Sequence, residues 1–286
     1  VTVSVLYWPS RPMTSVVTHR FGEHFTVRVV PVLKDNYSYV VRCLRSGMLA
    51  AVDVSQPEPV IAALSEERGG VPPSAKDFMV LTTHKHADHS GGNKTLAANF
   101  AGLEIHGGAH DHIPAATVQH QDRDGFRLGD LEVRVRHTPC HTKGHVIYHV
   151  YHPDAAEAGA VFTGDTMFVG GIGAFFEGDA AMMVDALRCI GDLPPPTRVF
   201  PGHEYTMGFM DFAATVEPAN PTLKEWRDKF AALREERKPA VASTLEAERA
   251  GLNPFMRAAY GDAAIKAATK ADDPVAMMQK LYDTCP

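Results

Sequence analysis

Phe78-Met79-Val80-Leu81-Thr82-Thr83-His84-Lys85-His86-Ala87-Asp88-His89-Ser90-Gly91-Gly92 decides how the rest of the chain is read. The apolar residues 78–81 form a short buried strand, and Ser90-Gly91-Gly92 turns the chain into a helix. Between them stand three imidazoles and a carboxylate. On an extended end, His84 and His86 point to the same side, because side chains alternate with a period of two. Adjacent Asp88 and His89, on a turn, address a second point nearby. Imidazole and carboxylate suit zinc, iron and manganese. One cluster therefore offers ligands to two neighbouring metal ions. A polar loop that is merely rich in histidine is the bland alternative.

Three later stretches have the same form, an apolar strand that ends on a polar group. Residues 131–136 alternate cleanly, and Thr138-Pro139-Cys140-His141-Thr142-Lys143-Gly144-His145 follows, with Pro139 and Gly144 bracketing a turn. His141 is the candidate for the third ligand that His84 and His86 still lack. Cys140 is expected to point the other way, as a packed thiol. Ala160-Val161-Phe162-Thr163-Gly164-Asp165-Thr166 puts Asp165 at a strand end, where a carboxylate can bridge two ions. Arg198-Val199-Phe200-Pro201-Gly202-His203-Glu204-Tyr205 ends a further strand on His203.

The spacing predicts strands over residues 25–30, 37–41, 48–53 and 104–106, and helices over 59–65 and 93–100. That alternation argues for an α/β class fold, a layered sandwich. No internal repeat of fixed period is present. After Tyr205 the texture changes. Residues 224–238 carry Trp226, Phe230 and Leu233 at helical spacing among charges. Ser243-Thr244-Leu245-Glu246 resembles a capped helix start, with Glu246 three residues after Ser243. Residues 263–282 read as two helical stretches broken near Asp272-Asp273-Pro274. The expected organisation is a catalytic domain over residues 1–204 and an all-helical, substrate-binding domain over residues 205–286. A helical appendage beside a metal rim makes a natural pocket wall.

The 286 residues suffice for one large domain or two ordinary ones. A formal charge of −6 gives no electrostatic reason to expect nucleic acid as a partner. No apolar run approaches a membrane span. Cys43, Cys140, Cys189 and Cys285 show no paired spacing, which points to free thiols in a reducing compartment. A cytoplasmic monomer with a small-molecule substrate is expected. Residues 1–22 contain Arg11 and Arg20 and no acid, a weak likeness to a mitochondrial targeting segment. Pro9 and Pro12 oppose an amphipathic helix there, and Val3, Val5 and Tyr7 fit an edge strand equally.

From about Phe25 to the C-terminus the chain resembles glyoxalase II, the hydroxyacylglutathione hydrolases of the metallo-β-lactamase superfamily. The resemblance rests on Thr83-His84-Lys85-His86-Ala87-Asp88-His89, Thr138-Pro139-Cys140-His141-Thr142, Phe162-Thr163-Gly164-Asp165-Thr166 and Gly202-His203-Glu204-Tyr205. Phe175-Phe176-Glu177-Gly178 and Asn253-Pro254-Phe255-Met256-Arg257 are specific to that family rather than to the superfamily. It implies an αββα sandwich followed by a small all-helical C-terminal domain. It also implies that His84, His86 and His141 hold one ion, that Asp88, His89 and His203 hold another, and that Asp165 and a hydroxide bridge them. Asp88 and Asp165 are then the catalytic carboxylates. Zinc, or a mixed zinc and iron or manganese content, fits these ligands. The implied reaction is hydrolysis of a 2-hydroxyacyl thioester, such as the lactoyl conjugate, to D-lactate and a free thiol in methylglyoxal detoxification. Two divalent ions set against Asp88, Asp165 and one hydroxide leave a net positive charge. That charge favours an anionic tetrahedral intermediate and a departing thiolate. A thiolate leaves well enough that no dedicated general acid is demanded.

The departures from the family concern the thiol carrier. In glutathione-using members the loop before Phe-Tyr-Glu-Gly carries a Lys, and its Tyr touches the carrier; here those positions are Ala174 and Phe176. Near the C-terminus an Arg and, three residues on, a Lys receive the glycine carboxylate of glutathione; here they are Tyr282 and Cys285. Tyr205 is retained and contacts the peptide part of the carrier. A wall without cations suits trypanothione, whose glycine carboxylates are amidated to spermidine, and the chain resembles that branch. Asp272, Asp273 or Asp283 is a candidate for meeting the spermidine amine, and the metal chemistry is expected to be remote from this wall. The alternatives are a glutathione enzyme with weakened carrier contacts, a mono-iron enzyme similar to persulfide dioxygenases, and a non-enzymatic metal- or polyamine-binding protein. The complete second ligand set argues against the last two.

Overall fold

Runs of Val, Tyr and Phe build the first strands, in the computed structural model that describes residues 16–155 and 159–286. Strands β1 (Val17–Phe21), β2 (Phe25–Val32), β3 (Asn36–Cys43) and β4 (Leu49–Val52) pair as antiparallel neighbours. Helix α1 (Pro57–Glu67) opens on a proline, whose fixed φ suits a first turn. It returns the chain so that β5 (Phe78–Leu81) lies parallel to β4, with Val52 opposite Leu81. Helices α2 (Ala87–Ser90) and α3 (Asn93–Asn99) lead on to β6 (Ile105–Gly108) and β7 (Val118–His120), both added in parallel. The seven strands lie in sequence order.

The second sheet contains β8 (Gly125–Leu128), β9 (Leu131–His137), β10 (Val146–Tyr151) and β11 (Ala160–Gly164). A ribbon of β12 (Met167–Phe168) and β13 (Gly171–Ile172) and helix α4 (Ala180–Gly191) precede the last strand, β14 (Arg198–Pro201). The order is β14-β11-β10-β9-β8, and β14 runs parallel to β11. Tyr39, Val41, Val135, Tyr148, Phe162 and Phe200 fill the space between the sheets. Each such buried aromatic contributes about 1.5–3 kcal/mol relative to exposure. Val60, Leu64 and Leu96 cover the outer face of the first sheet, and Met183 and Leu187 of α4 pack on the outside of the second. This is the expected αββα layering.

The helical part comprises α5 (Thr206–Val216), α6 (Pro221–Glu235), α7 (Leu245–Ala247), α8 (Pro254–Ala259), α9 (Ala263–Thr269) and α10 (Pro274–Thr284). The predicted break near Asp272-Asp273-Pro274 separates α9 from α10. The predicted cap at Ser243 falls one residue late: the Thr244 hydroxyl accepts from Ala247 N at 3.2 Å. Ser243 is engaged by the buried Glu248 instead. Helix α4 is not among the expected elements. It packs with α8 and α10 in one apolar cluster, so helical packing reaches back across residue 204.

Asn253, in the family-specific Asn-Pro-Phe-Met-Arg stretch, caps α8 through Phe255 N and Met256 N. Its amide also donates to Gly171 O of the ribbon at 3.1 Å. Arg257 is buried against Glu217 and Asp262. The stretch thus docks the helices on the sandwich. Residues 17–21, inside the segment weighed as a targeting sequence, form strand β1, whereas Val3, Val5 and Tyr7 lie outside the described residues. All four cysteines are free thiols. Among the described residues no helix is long and apolar enough to cross a membrane.

Candidate metal centre

Parallel pairing explains why the site forms where it does. Strands β4 and β5 run together, as do β11 and β14, so their carboxyl ends open on one rim. Asp53, His84, Asp165 and His203 all follow those ends, and His141 follows the end of β9. Three groups of ligand atoms each lie within 4.8 Å of one another: His84, His86 and His141; His84, His89 and Asp165; Asp88, His89 and His203. The seven residues expected at the metals are thus together.

Nε2 of His84 and Nε2 of His141 each lie 3.0 Å from Nδ1 of His86. The outer nitrogens fix the tautomers. Nδ1 of His141 donates to Ala174 O at 3.1 Å. The Thr83 hydroxyl gives its proton to Asp53 at 2.8 Å, so it accepts from Nδ1 of His84 at 3.1 Å. Burial keeps both rings neutral, His84 well below the ordinary histidine value and His141 down at about 4. Two lone pairs therefore face His86, and one proton on His86 satisfies only one of them. A cation satisfies all three, and the donor set fits a metal ion.

Asp165 stands between this trio and the second group. Its Oδ2 is 3.5 Å from His141 Nε2 and 3.3 Å from His203 Nε2, and its Oδ1 is 3.3 Å from His89 Nε2. Asp88 Oδ2 lies 3.3 Å from His203 and 3.5 Å from His89. Burial opposes charge on His89, yet the Asp165 and Asp53 carboxylates outweigh it and lift this ring to about 10. His203 is likewise raised against burial, by Asp165, Asp35 and Asp88. Asp165, whose burial alone would favour the acid, is held ionised by His203 and His89. Protons on His89 and His203 offset part of the charge of Asp165, Asp88, Asp53 and Asp35, and a divalent ion would offset as much.

Sequence reasoning missed the groups that aim these ligands. Asp53 Oδ2 is 3.0 Å from His89 Nδ1, while its Oδ1 accepts Thr83 N at 2.8 Å. Asp53 adopts φ 50°, a left-handed conformation uncommon outside glycine. Asp35 Oδ1 is 3.0 Å from His203 Nδ1, and Asn36 Nδ2 donates to Asp88 Oδ2 at 3.0 Å. His145 Nε2 accepts Asp165 N at 3.1 Å. Such outer partners fix ring orientation and ligand basicity. Gly202 leaves room for the whole: a Cβ there would lie 2.3 Å from Asp165 Oδ1 and 2.6 Å from His89 Cε1.

The residues expected at the carrier fall around the same rim. Tyr205 stacks on His203 at 4.8 Å, and Phe176, 52% exposed, stands 5.0 Å from the His141 ring. Tyr282 stacks on Phe175 at 3.8 Å and its hydroxyl accepts Phe175 N at 3.1 Å. Ala174, the neighbour of Phe175, supplies the carbonyl that holds His141. The wall is therefore one peptide from a ligand's hydrogen bond, which corrects the expectation that it is remote from the metal chemistry. Burial pushes the Cys285 thiol up to about 12, so it is neutral. Of the three acids considered for a polyamine, Asp272 pairs with Lys266 at 2.9 Å and Asp273 caps α10. Asp283 accepts from Gln279 at 2.8 Å. Cys140 is a packed thiol, donating to Asp179 O at 3.4 Å and raised by burial to about 12.

Lys85, inside the histidine cluster, points elsewhere, to Glu177 at 2.6 Å. Glu177 also accepts Lys143 N at 2.8 Å, so it ties the histidine loop to the His141 loop.

Comparison with known proteins agrees with this geometry. Residues 79–203 match the metallo-beta-lactamase superfamily, and residues 204–284 match the hydroxyacylglutathione hydrolase C-terminus. The cytoplasmic hydroxyacylglutathione hydrolase of Arabidopsis thaliana is 43% identical over 234 residues, covering 80% of this chain and 86% of that protein. A hydroxyacylglutathione hydrolase of Synechococcus is 37% identical over 257 residues, covering 88% and 95%. A metallo-beta-lactamase structure from Staphylococcus aureus shares the fold, with TM-score 0.59 and 22% identity over 88% of this chain and 64% of that one. A catalytic rim that gathers imidazoles and carboxylates for divalent metal ions, joined to the helices that distinguish one branch of that fold, makes this chain a thioester hydrolase of the hydroxyacylglutathione hydrolase, or glyoxalase II, family.

Proposed function

We propose that the protein hydrolyses the lactoyl thioester of trypanothione, or a closely similar 2-hydroxyacyl thioester, at a pair of metal ions. In this reading His84, His86 and His141 hold one ion, Asp88, His89 and His203 hold the other, and Asp165 serves both. When bound, the pair supplies a hydroxide nucleophile at neutral pH and positive charge for the developing oxyanion. The chain's own residues do the rest. Asp53, Asp35 and Asn36 keep His89, His203 and Asp88 aimed inward. Tyr205, stacked flat on His203, gives the carrier an apolar surface beside the reacting carbonyl, and Phe176 closes the opposite rim. Zinc, a zinc and iron mixture, or manganese meets the ligand set. We also propose a division near residue 204, where the two family matches abut, and a cytoplasmic monomer.

The observation that carries the choice of carrier is the neutral wall. Tyr282 is spent on Phe175, and Cys285 carries no charge. Nothing at those two positions receives a glycine carboxylate, and a lost charge-assisted hydrogen bond costs about 1.5–3 kcal/mol. The test compares kcat/KM on matched lactoyl thioesters of the two carriers, with metal content measured on the same preparation. The trypanothione thioester is expected to lead by at least about tenfold, equivalent to about 1.4 kcal/mol of transition-state binding. Equal values sink the carrier assignment and leave the thioesterase intact. One iron with oxygen uptake would overturn the binuclear reading.

A further inference from the structure

Away from the metal rim, on the outer face of the second sheet, Arg123, Arg134, Arg136, His149 and Tyr151 surround a recess of about 460 Å³. That volume is within the range of small-molecule sites. Strand alternation makes the wall. Val133, Val135, Tyr148 and Val150 fill the core between the sheets, so Arg134, Arg136, His149 and Tyr151 project outward. His149 lies four residues along β10 from His145, about 13 Å in an extended strand. The recess and the metal centre are separate places.

Three guanidinium groups line this recess, with Asp122 and Glu132 as the carboxylates nearest them among the described residues. Their existing pairings are loose. Arg136 Nε reaches Asp122 at 3.3 Å, Arg123 Nε reaches it at 3.5 Å, and Arg134 reaches Glu132 at 3.6 Å and the Tyr151 hydroxyl at 3.4 Å. Arg257 offers the contrast, engaging both oxygens of Asp262 at 3.2 and 2.8 Å. The recess arginines thus keep most of their donors for another acceptor, while like charges crowd one wall. Beside them His149 is only 4% exposed, and its Nε2, without a hydrogen-bond partner, lies against Gly159. A buried polar nitrogen is normally satisfied by protein, water or ligand. Leu193, Pro194 and the Tyr151 ring supply an apolar side.

We propose that this recess binds a small phosphate-bearing molecule with a flat apolar body, a nucleoside phosphate by chemical class. Guanidinium forks match phosphate oxygens two at a time, which a point charge does not. The apolar side takes the body of the same ligand.

Calorimetric titration of the metal-loaded full chain with adenosine monophosphate, inorganic phosphate and adenosine tests it. Adenosine monophosphate should bind one saturable site and weaken with added salt, and each fragment alone should bind less tightly. The variant R134Q/R136Q should weaken the nucleotide by at least about tenfold, since two charge-assisted contacts go. R134K/R136K, which keeps charge and loses the forks, should fall between. Thioester turnover and metal content should stay unchanged in both variants. If the glutamine variant fails to fold, the lysine variant decides by the same ordering. Undiminished nucleotide binding in the variants would overturn the proposal. So would inhibition of thioester hydrolysis by the nucleotide in competition with substrate, or the absence of saturable binding below about 10 mM.

Discussion

The metal rim and the carrier wall stand side by side and are held very differently. Each ligand candidate at the rim except His86 and Asp165 has a separate partner fixing its side chain: Thr83 for His84, Asp53 for His89, Asp35 for His203, Ala174 O for His141, Asn36 for Asp88. The wall has one ring stack and one hydrogen bond at Tyr282, and Phe176 is largely open to solvent. Buried polar groups require satisfied partners, so the rim tolerates little change. The wall makes few demands on its neighbours, and that is where a carrier preference can shift. The two meet in residues 174–178, which hold His141 on one side and Tyr282 on the other.

The largest break in this contrast comes from Asp165. Asp165→Ala removes the carboxylate set between both groups, and kcat should fall at least about 1,000-fold, with metal content roughly halved or worse. Full activity in that variant would refute the binuclear assignment. Glu248 tests the junction of sandwich and helices, away from both regions. It is fully buried, accepts Gly170 N at 3.0 Å, and burial raises it from 4.5 to about 7. The folded chain then keeps this proton to higher pH than the unfolded chain. Its stabilising contribution is complete below about 4.5 and is lost as pH rises through about 7. Denaturant titrations at pH 5 and pH 8 should differ by up to about 3 kcal/mol in the parent. Glu248→Gln should lack that component, and an identical pH slope in the two proteins would remove the buried carboxyl as its source. Asp53→Asn keeps size and loses the charge facing His89 Nδ1. It should lower metal affinity by about 10–100-fold, read by competition with a chelator. No change would mean that Asp53 serves the fold rather than the ligand.

What could be read from the sequence follows from the same contrast. His84, Asp165 and His203 each end an apolar run, and that local form survives without knowledge of the fold. Asp53 ends the run Leu49-Ala50-Ala51-Val52 in the same way. Its role depends on β4 lying parallel to β5, which no local pattern encodes, and it has no histidine beside it. Helix α4 was illegible for another reason. Residues 180–191 carry charge only at Asp185 and Arg188, so their polar face is far narrower than the one that marks α6. At residues 243–244 two hydroxyls compete for one cap, and the buried Glu248 decides between them by engaging Ser243. The closeness of wall and metal rim depends on the 174–178 loop folding back, again a tertiary fact.

The smallest expected effect is the sharpest probe of the wall. Replacing Tyr282 by Arg would add a cation, but it would also remove the stack on Phe175 and the acceptor for Phe175 N, one residue from the carbonyl that holds His141. A change in kcat would then mix carrier recognition with ligand aim. Cys285 offers a cleaner test, because it follows the end of α10 and has no such hydrogen bond to the loop. Cys285→Lys should improve kcat/KM on the glutathione thioester by up to about tenfold, through KM, by giving its carboxylate a charged partner. The trypanothione thioester should gain nothing, since its amide has no charge to offer. Tyr282→Phe keeps the ring and deletes the acceptor, and should lower kcat a few-fold on both thioesters alike. If Cys285→Lys instead changed both carriers equally, the C-terminal wall would not be reading the carrier. If Tyr282→Phe moved KM on one carrier alone, the coupling through Ala174 would be absent, and the rim and the wall would be independent after all.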